Sequence, residues 1–146
     1  MKLVQSLALL TGASFTILPA LTNFHISQSV SLQSIASGVS DESLIACPSN
    51  DYTCDCLEGG NRAAKVMVYG QGVPGNLPDS FFSVNAGLCG SSQLNFYNKG
   101  GGIWEFYQNN GDGSLKGTCY PNSASPGCPG YLIDDQLVCY SNICGS

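Results

Sequence analysis

Eight cysteines fall between Cys47 and Cys144, behind an N-terminus built like a secretory signal. No other feature restricts the fold as strongly, because the combination places the folded body outside the reducing cytosol. Met1 and Lys2 give a short basic start, Leu3 to Ala20 is largely apolar, and Ala20 and Thr22 are small enough to mark a cleavage point. The apolar run is broken by Gln5, Ser6, Thr11, Gly12, Ser14 and Pro19 and has no basic stop behind it. A cleaved signal over residues 1–22 is therefore expected, with no membrane anchor. An even cysteine number in an exported chain reads as a disulfide framework. Cys47, Cys54, Cys56, Cys89, Cys119, Cys128, Cys139 and Cys144 are all expected to be bridged. Eight cysteines allow 105 pairings, so connectivity stays open. Cys54 and Cys56 are too close to join each other without strain, and each is expected to reach a distant partner.

Once the signal is removed, about 124 residues remain, enough for one domain. Arg62, Lys65, Lys99 and Lys116 stand against ten carboxylates, and the whole chain carries a formal charge of −5. No basic cluster exists to neutralise phosphates or an anionic membrane, which excludes nucleic acid and lipid headgroups as partners. Residues 23–46 differ from the rest: serine and glutamine dominate and cysteine is absent. They read as a Ser-rich leader, flexible or carrying a short helix, with the folded domain over residues 47–146.

From Cys47 onward the signals are those of a β protein: short runs rich in Val, Tyr and Phe, separated by Gly, Pro, Asn and Asp. Strands are expected at Lys65 to Tyr69 and at Phe81 to Val84. Leu94 to Tyr97 and Ile103 to Tyr107 form the clearest hairpin, over a glycine-rich loop that permits positive φ. A further hairpin, Tyr131 to Ile133 with Leu137 to Tyr140, is expected to turn at Asp134-Asp135. Side chains alternate between faces with period two. Leu94, Phe96, Trp104 and Phe106 then share an apolar face and should be core. Asn95, Tyr97, Ile103, Glu105 and Tyr107 share the opposite, mixed face. The expected fold is mainly β, a small disulfide-stapled antiparallel sandwich.

Catalytic constellations are scarce. The single histidine, His25, lies in the Ser-rich leader, outside the expected domain, so a Ser-His-Asp or Cys-His site is not expected. Zinc needs free thiolates or histidines, and here the thiols are spent on bridges. Paired carboxylates are the remaining catalytic route. Asp55, Glu58, Asp79, Glu105, Asp112, Asp134 and Asp135 are available, and Glu105, between aromatic residues, would be the best acid. The loop Asn109 to Ser114 is rich in oxygen ligands, but Pro121 falls where an EF-hand-like loop needs its last acidic ligand, so a turn is expected.

The segment Asn76 to Tyr120 resembles a Greek key of the βγ-crystallin-like superfamily, which includes small secreted killer-toxin-like and antifungal proteins. The likeness is carried by Leu77-Pro78-Asp79-Ser80 with Ser83, followed by a strand ending in Phe96-Tyr97. At the positions of that family's calcium motif Asp79 and Ser83 fit, whereas Ser80 and Val84 depart. Asn109, Asn110 and Ser114 fit in the later loop, and Gly113 departs. The resemblance implies the fold and does not carry metal binding over, so no cofactor and no metal are expected. More broadly, the chain is similar to the small secreted cysteine-rich proteins of filamentous fungi, many of which act as effectors or toxins.

These features lead to an expectation of a secreted binding protein without catalytic residues. It would meet an extracellular protein or carbohydrate of a host or competitor through Tyr97, Glu105 and Tyr107. Aromatic rings with polar tips suit such surfaces. A wall-directed hydrolase and a structural wall component are the alternatives.

Overall fold

Runs in which inward and outward side chains alternate, clearest over Ile103–Gln108, become strands of one barrel. The computed structural model describes residues 23–38, 42–69 and 76–144; the expected signal over residues 1–22 lies outside them. Within the described residues the order is β1 (Asn23–Ser31), α1 (Leu32–Ala36), β2 (Glu42–Pro48), α2 (Cys54–Leu57), β3 (Ala64–Val68), β4 (Phe81–Val84), β5 (Leu94–Gly100), β6 (Ile103–Gln108), β7 (Leu115–Ala124) and β8 (Tyr131–Ser141). Each strand pairs antiparallel with the next, and β8 returns to pair with β1, closing the sheet. The mainly β, antiparallel, disulfide-stapled fold is as expected. Its two faces are the inside and outside of one barrel, and consecutive strands are neighbours throughout. A Greek key requires a strand to return beside a non-consecutive one, so residues 76–120 have meander connectivity instead.

An eight-stranded barrel has an interior just wide enough to be filled by side chains, and this one is. Phe24, Phe82, Phe96 and Phe106 are fully buried, with Ile26, Val84, Leu94, Trp104 and Leu137 around them. Phe96 stacks on Phe82 at 4.5 Å and on Phe106 at 4.7 Å, while Trp104 meets Phe82 edge-on at 4.8 Å. Burying each such side chain contributes about 1.5–3 kcal/mol. The apolar face expected for Leu94, Phe96, Trp104 and Phe106 is thus the barrel interior. The β5–β6 hairpin turns at Gly101-Gly102, both at positive φ, as a tight two-residue loop demands. Gly117 is equally constrained: a Cβ there would collide with the Phe106 ring and the Tyr140 carbonyl.

Two further expectations, on residues 23–46 and on Asp134-Asp135, are corrected. Residues 23–46 supply β1 and most of β2, and β1 sits between β2 and β8 along almost its whole length. Ser27 and Ser29 alternate with Phe24, Ile26 and Val30, so a serine-rich composition conceals a strand. Asp134-Asp135 does not turn the chain either. Tyr131–Ser141 is one continuous strand, with Asp135 buried in its middle.

All eight cysteines are bridged, as expected. Cys119–Cys139 joins directly opposed positions of β7 and β8 inside the barrel. Cys89–Cys144 ties the turn after β4 to the C-terminal end. Cys54 and Cys56 go to different partners: Cys54 reaches Cys128, 74 residues on, but Cys56 pairs with Cys47 only nine residues away. These last two bridges strap an outer layer onto the barrel. There Cys56 and Leu57 of α2 pack with Ile45 and Cys47 of β2, Ile133 of β8, and Cys128. Thr53 starts α2 by accepting a hydrogen bond from the Cys56 N–H.

Candidate functional site

The outer layer covers the wall formed by β1, β2 and β8. On the opposite side, the outward positions of β3 to β6 carry a row of rings, one from each strand or its end. Tyr69 follows β3, Phe81 lies on β4, Tyr97 on β5 and Tyr107 on β6. Neighbouring centroids are 5.7, 5.1 and 5.9 Å apart. Tyr69 is 52% exposed and Tyr97 44%. The register explains the row, since Phe81 pairs with Tyr97, Tyr97 with Glu105, and Asn95 with Tyr107. Strand spacing of roughly 4.8 Å makes the row about 14 Å long.

The three residues expected to form a binding surface are thereby brought together. Tyr107 donates to Glu105 Oε1 at 3.4 Å, and Lys99 Nζ lies 3.6 Å from the same oxygen. Glu105 is therefore engaged by a cation and a hydroxyl. Below the rings runs a polar network. Asn95 Oδ1 accepts from Ser83 Oγ at 2.9 Å and from Gln93 Nε2 at 3.0 Å, while Asn95 Nδ2 donates to Asn109 Oδ1 at 3.1 Å. Ser83 is fully buried beneath these amides. The outer face of β4 to β6 is thus half aromatic and half amide, with both halves fixed by cross-strand pairing.

Tyr69, Phe81, Gln93 and Asn109 join this face without a signal in the sequence that marks them for it. Phe81 falls in the strand expected over Phe81 to Val84, but Phe81-Phe82 offers two adjacent aromatics and no indication of which faces out. Gln93 precedes the strand expected over Leu94 to Tyr97. Asn109 belongs to the expected turn over Asn109 to Ser114, and the turn forms. Asn110 and Gly113 adopt positive φ, and Ser114 donates through both its hydroxyl and its N–H to Asp112. Those bonds hold the Asp112 carboxyl below its ordinary value.

His25 lies within the fold, contrary to expectation. Its Nδ1 is 2.7 Å from Asp135 Oδ2, which also accepts from Asn122 Nδ2 at 2.6 Å; Ser27 donates to Oδ1 at 3.1 Å. This is a serine, a histidine and an aspartate in contact, but in the wrong order for hydrolysis. A nucleophilic serine must bond the histidine's far nitrogen, whereas Ser27 bonds the carboxylate. The cluster clamps β1 to β8. Tyr52 covers it, its ring 4.2 Å from that of His25. The Tyr52 hydroxyl lies close enough to Ser27 and Asp135 to be influenced by both, yet forms no well-aligned hydrogen bond among the described residues. Burial pushes this phenol up to about 12.

One grouping of metal-ligand type occurs among the described residues, Cys54, Glu58 and Cys128, and its two sulfurs are bonded to each other. A cleft of about 230 Å³ lies where β2 and β3 meet the end of α2, and one of about 500 Å³ lies beside Ser91, Gln108 and Lys116. Neither includes Tyr97, Glu105 or Tyr107. No helix among the described residues is long and apolar enough to cross a membrane. Comparison with protein-family models, curated proteins and solved structures finds no match to this chain.

Proposed function

We propose that this chain is a secreted, non-enzymatic binding protein that engages its partner through the aromatic face of β3 to β6. Its setting would be host–microbe or microbe–microbe contact, in an effector-like or toxin-like role. The observation that carries the reading is the uneven coating of the barrel. One wall is covered by the chain's own disulfide-strapped layer, while the opposite wall carries a row of rings in which Tyr69 and Tyr97 are exposed and Phe81 and Tyr107 half-buried. Exposed aromatics held rigid by their neighbours bind with little loss of conformational freedom. The packed interior supports a surface role over a lipocalin-like ligand cavity. Four disulfides are typical of extracellular proteins, and the N-terminal sequence supports export. Non-enzymatic action is supported by Glu105 being held by Lys99 and Tyr107, and by Ser27 bonding Asp135 and not His25.

Co-sedimentation of the oxidised protein with insoluble wall and matrix preparations tests this. Retention should fall at least about tenfold for Tyr97→Ala, with the unfolding midpoint unchanged, and no reducing ends should be released. Turnover of any wall polymer, or retention indifferent to Tyr97, would overturn the reading.

A further inference from the structure

Resting on that binding reading, we propose that the outer face of β4 to β6 takes an uncharged oligosaccharide, its sugar rings laid on Tyr97 and Tyr107 and its hydroxyls met by Glu105, Gln93 and Asn109. Charge argues first. The charged side chains among the rings, Lys99 and Glu105, are paired with each other, so the face offers no net charge to an ionic partner. The chain's formal charge of −5 also disfavours polyanions.

The arrangement of polar atoms argues second. Asn95 spends its amide on Ser83, Gln93 and Asn109, which fixes all three. Gln93 Oε1 and Asn109 Nδ2 are then left without a protein partner among the described residues, one an acceptor and the other a donor. The Asn109 N–H bonds the Gln93 carbonyl at 2.8 Å, so the two residues stand side by side. A sugar hydroxyl both donates and accepts, and matches this pair in a way that an apolar peptide side chain does not. Above them, the electron-rich ring faces attract the weakly positive C–H face of a pyranose.

Shape argues third. The rings form an open row of about 14 Å across four strands, which fits a stretch of chain and not a single enclosed sugar. A protein interface of ordinary size needs about 800 Å² per partner and a charge-depleted, desolvated centre. Here an ion pair and fixed amides lie within a ring's breadth of the aromatics.

Calorimetric titration of the oxidised protein with chitohexaose, laminarihexaose and cellohexaose tests the proposal, with hexagalacturonate and the monosaccharides as controls. At least one neutral hexamer should bind with Kd below about 1 mM. Its monosaccharide should bind at least about tenfold more weakly, and Tyr97→Ala should cost at least about tenfold at an unchanged unfolding midpoint. Failure of all three neutral hexamers, or preference for hexagalacturonate, would overturn the sugar assignment. If retention on wall material still depended on Tyr97, the binding reading would survive with a protein as ligand. A hexamer bound equally well by Tyr97→Ala would place the sugar elsewhere and overturn the proposal.

Discussion

Replacing Asp135 by alanine tests the part of the fold that the sequence concealed. The carboxylate is 1% exposed and holds His25, Ser27 and Asn122. Hydrogen bonds to a charged acceptor are worth about 1.5–3 kcal/mol each, but the three partners do not lose equally. Asn122 is exposed and His25 keeps 17% of its side chain accessible, so both can turn to water. Ser27, at 1% exposure, cannot. Stranding its hydroxyl costs about 1–3 kcal/mol, and the lost hydrogen bonds to the carboxylate bring the total to about 3–5 kcal/mol. Asp134 is the matched control, being exposed, with its carboxylate bonded among the described residues only to Gln136. Asp134→Ala should change stability by less than about 0.5 kcal/mol. Urea unfolding with the disulfides intact reads both, at an m-value shared with the wild type. Equal, small effects of the two substitutions would refute the reasoning, restoring a turn at Asp134-Asp135 and displacing the register of β8.

Two further outcomes follow from the outer layer. Loop-closure entropy assigns about 4 kcal/mol to the Cys54–Cys128 bridge, which spans 74 residues. The Cys54→Ser/Cys128→Ser double variant should therefore raise hydrogen exchange around α2 while β5 and β6 amides stay protected; uniform loss of protection would mean the layer and barrel are one unit. Tyr52 concerns alkaline stability. Between the ordinary value of 10.0 and about 12 the unfolded chain has released this proton while the folded chain retains it. The contribution of Tyr52 is thus complete below pH 10.0 and is lost as pH rises through that window. Urea midpoints of wild type should fall more steeply from about pH 9 to about pH 11 than those of Tyr52→Phe; parallel falls would count against burial as the cause.

Strand residues that alternate strictly were legible from sequence. Leu94, Phe96, Trp104 and Phe106 sort from Asn95, Tyr97 and Tyr107 because the inward set is apolar without exception, and the same alternation brings Tyr97, Glu105 and Tyr107 together. What stayed hidden has physical reasons. In β1 the outward positions Ser27 and Ser29 are buried under the outer layer, so small polar residues occupy a buried face and the segment resembles a linker. Asp135 reads as a turn residue because its partners lie 13 to 110 residues away. Closure of the sheet depends on β1 meeting β8, a pairing between the two ends of the described chain that no local signal announces. Phe81 and Tyr69 belong to the aromatic row through strand register, which pairs residues distant in sequence.

Hydroxyl-radical footprinting of the protein, free and bound to wall material, tests the central claim most directly, because exposed tyrosines stand on both the proposed face and a control face. Tyr69 and Tyr97 are 52% and 44% exposed on the ring-bearing wall, while Tyr120 and Tyr140, at 44% and 41%, lie on β7 and β8. Binding should suppress oxidation of Tyr69 and Tyr97 and leave Tyr120 and Tyr140 reacting as in the free protein. Protection of Tyr120 and Tyr140 with Tyr69 and Tyr97 unchanged would contradict the account.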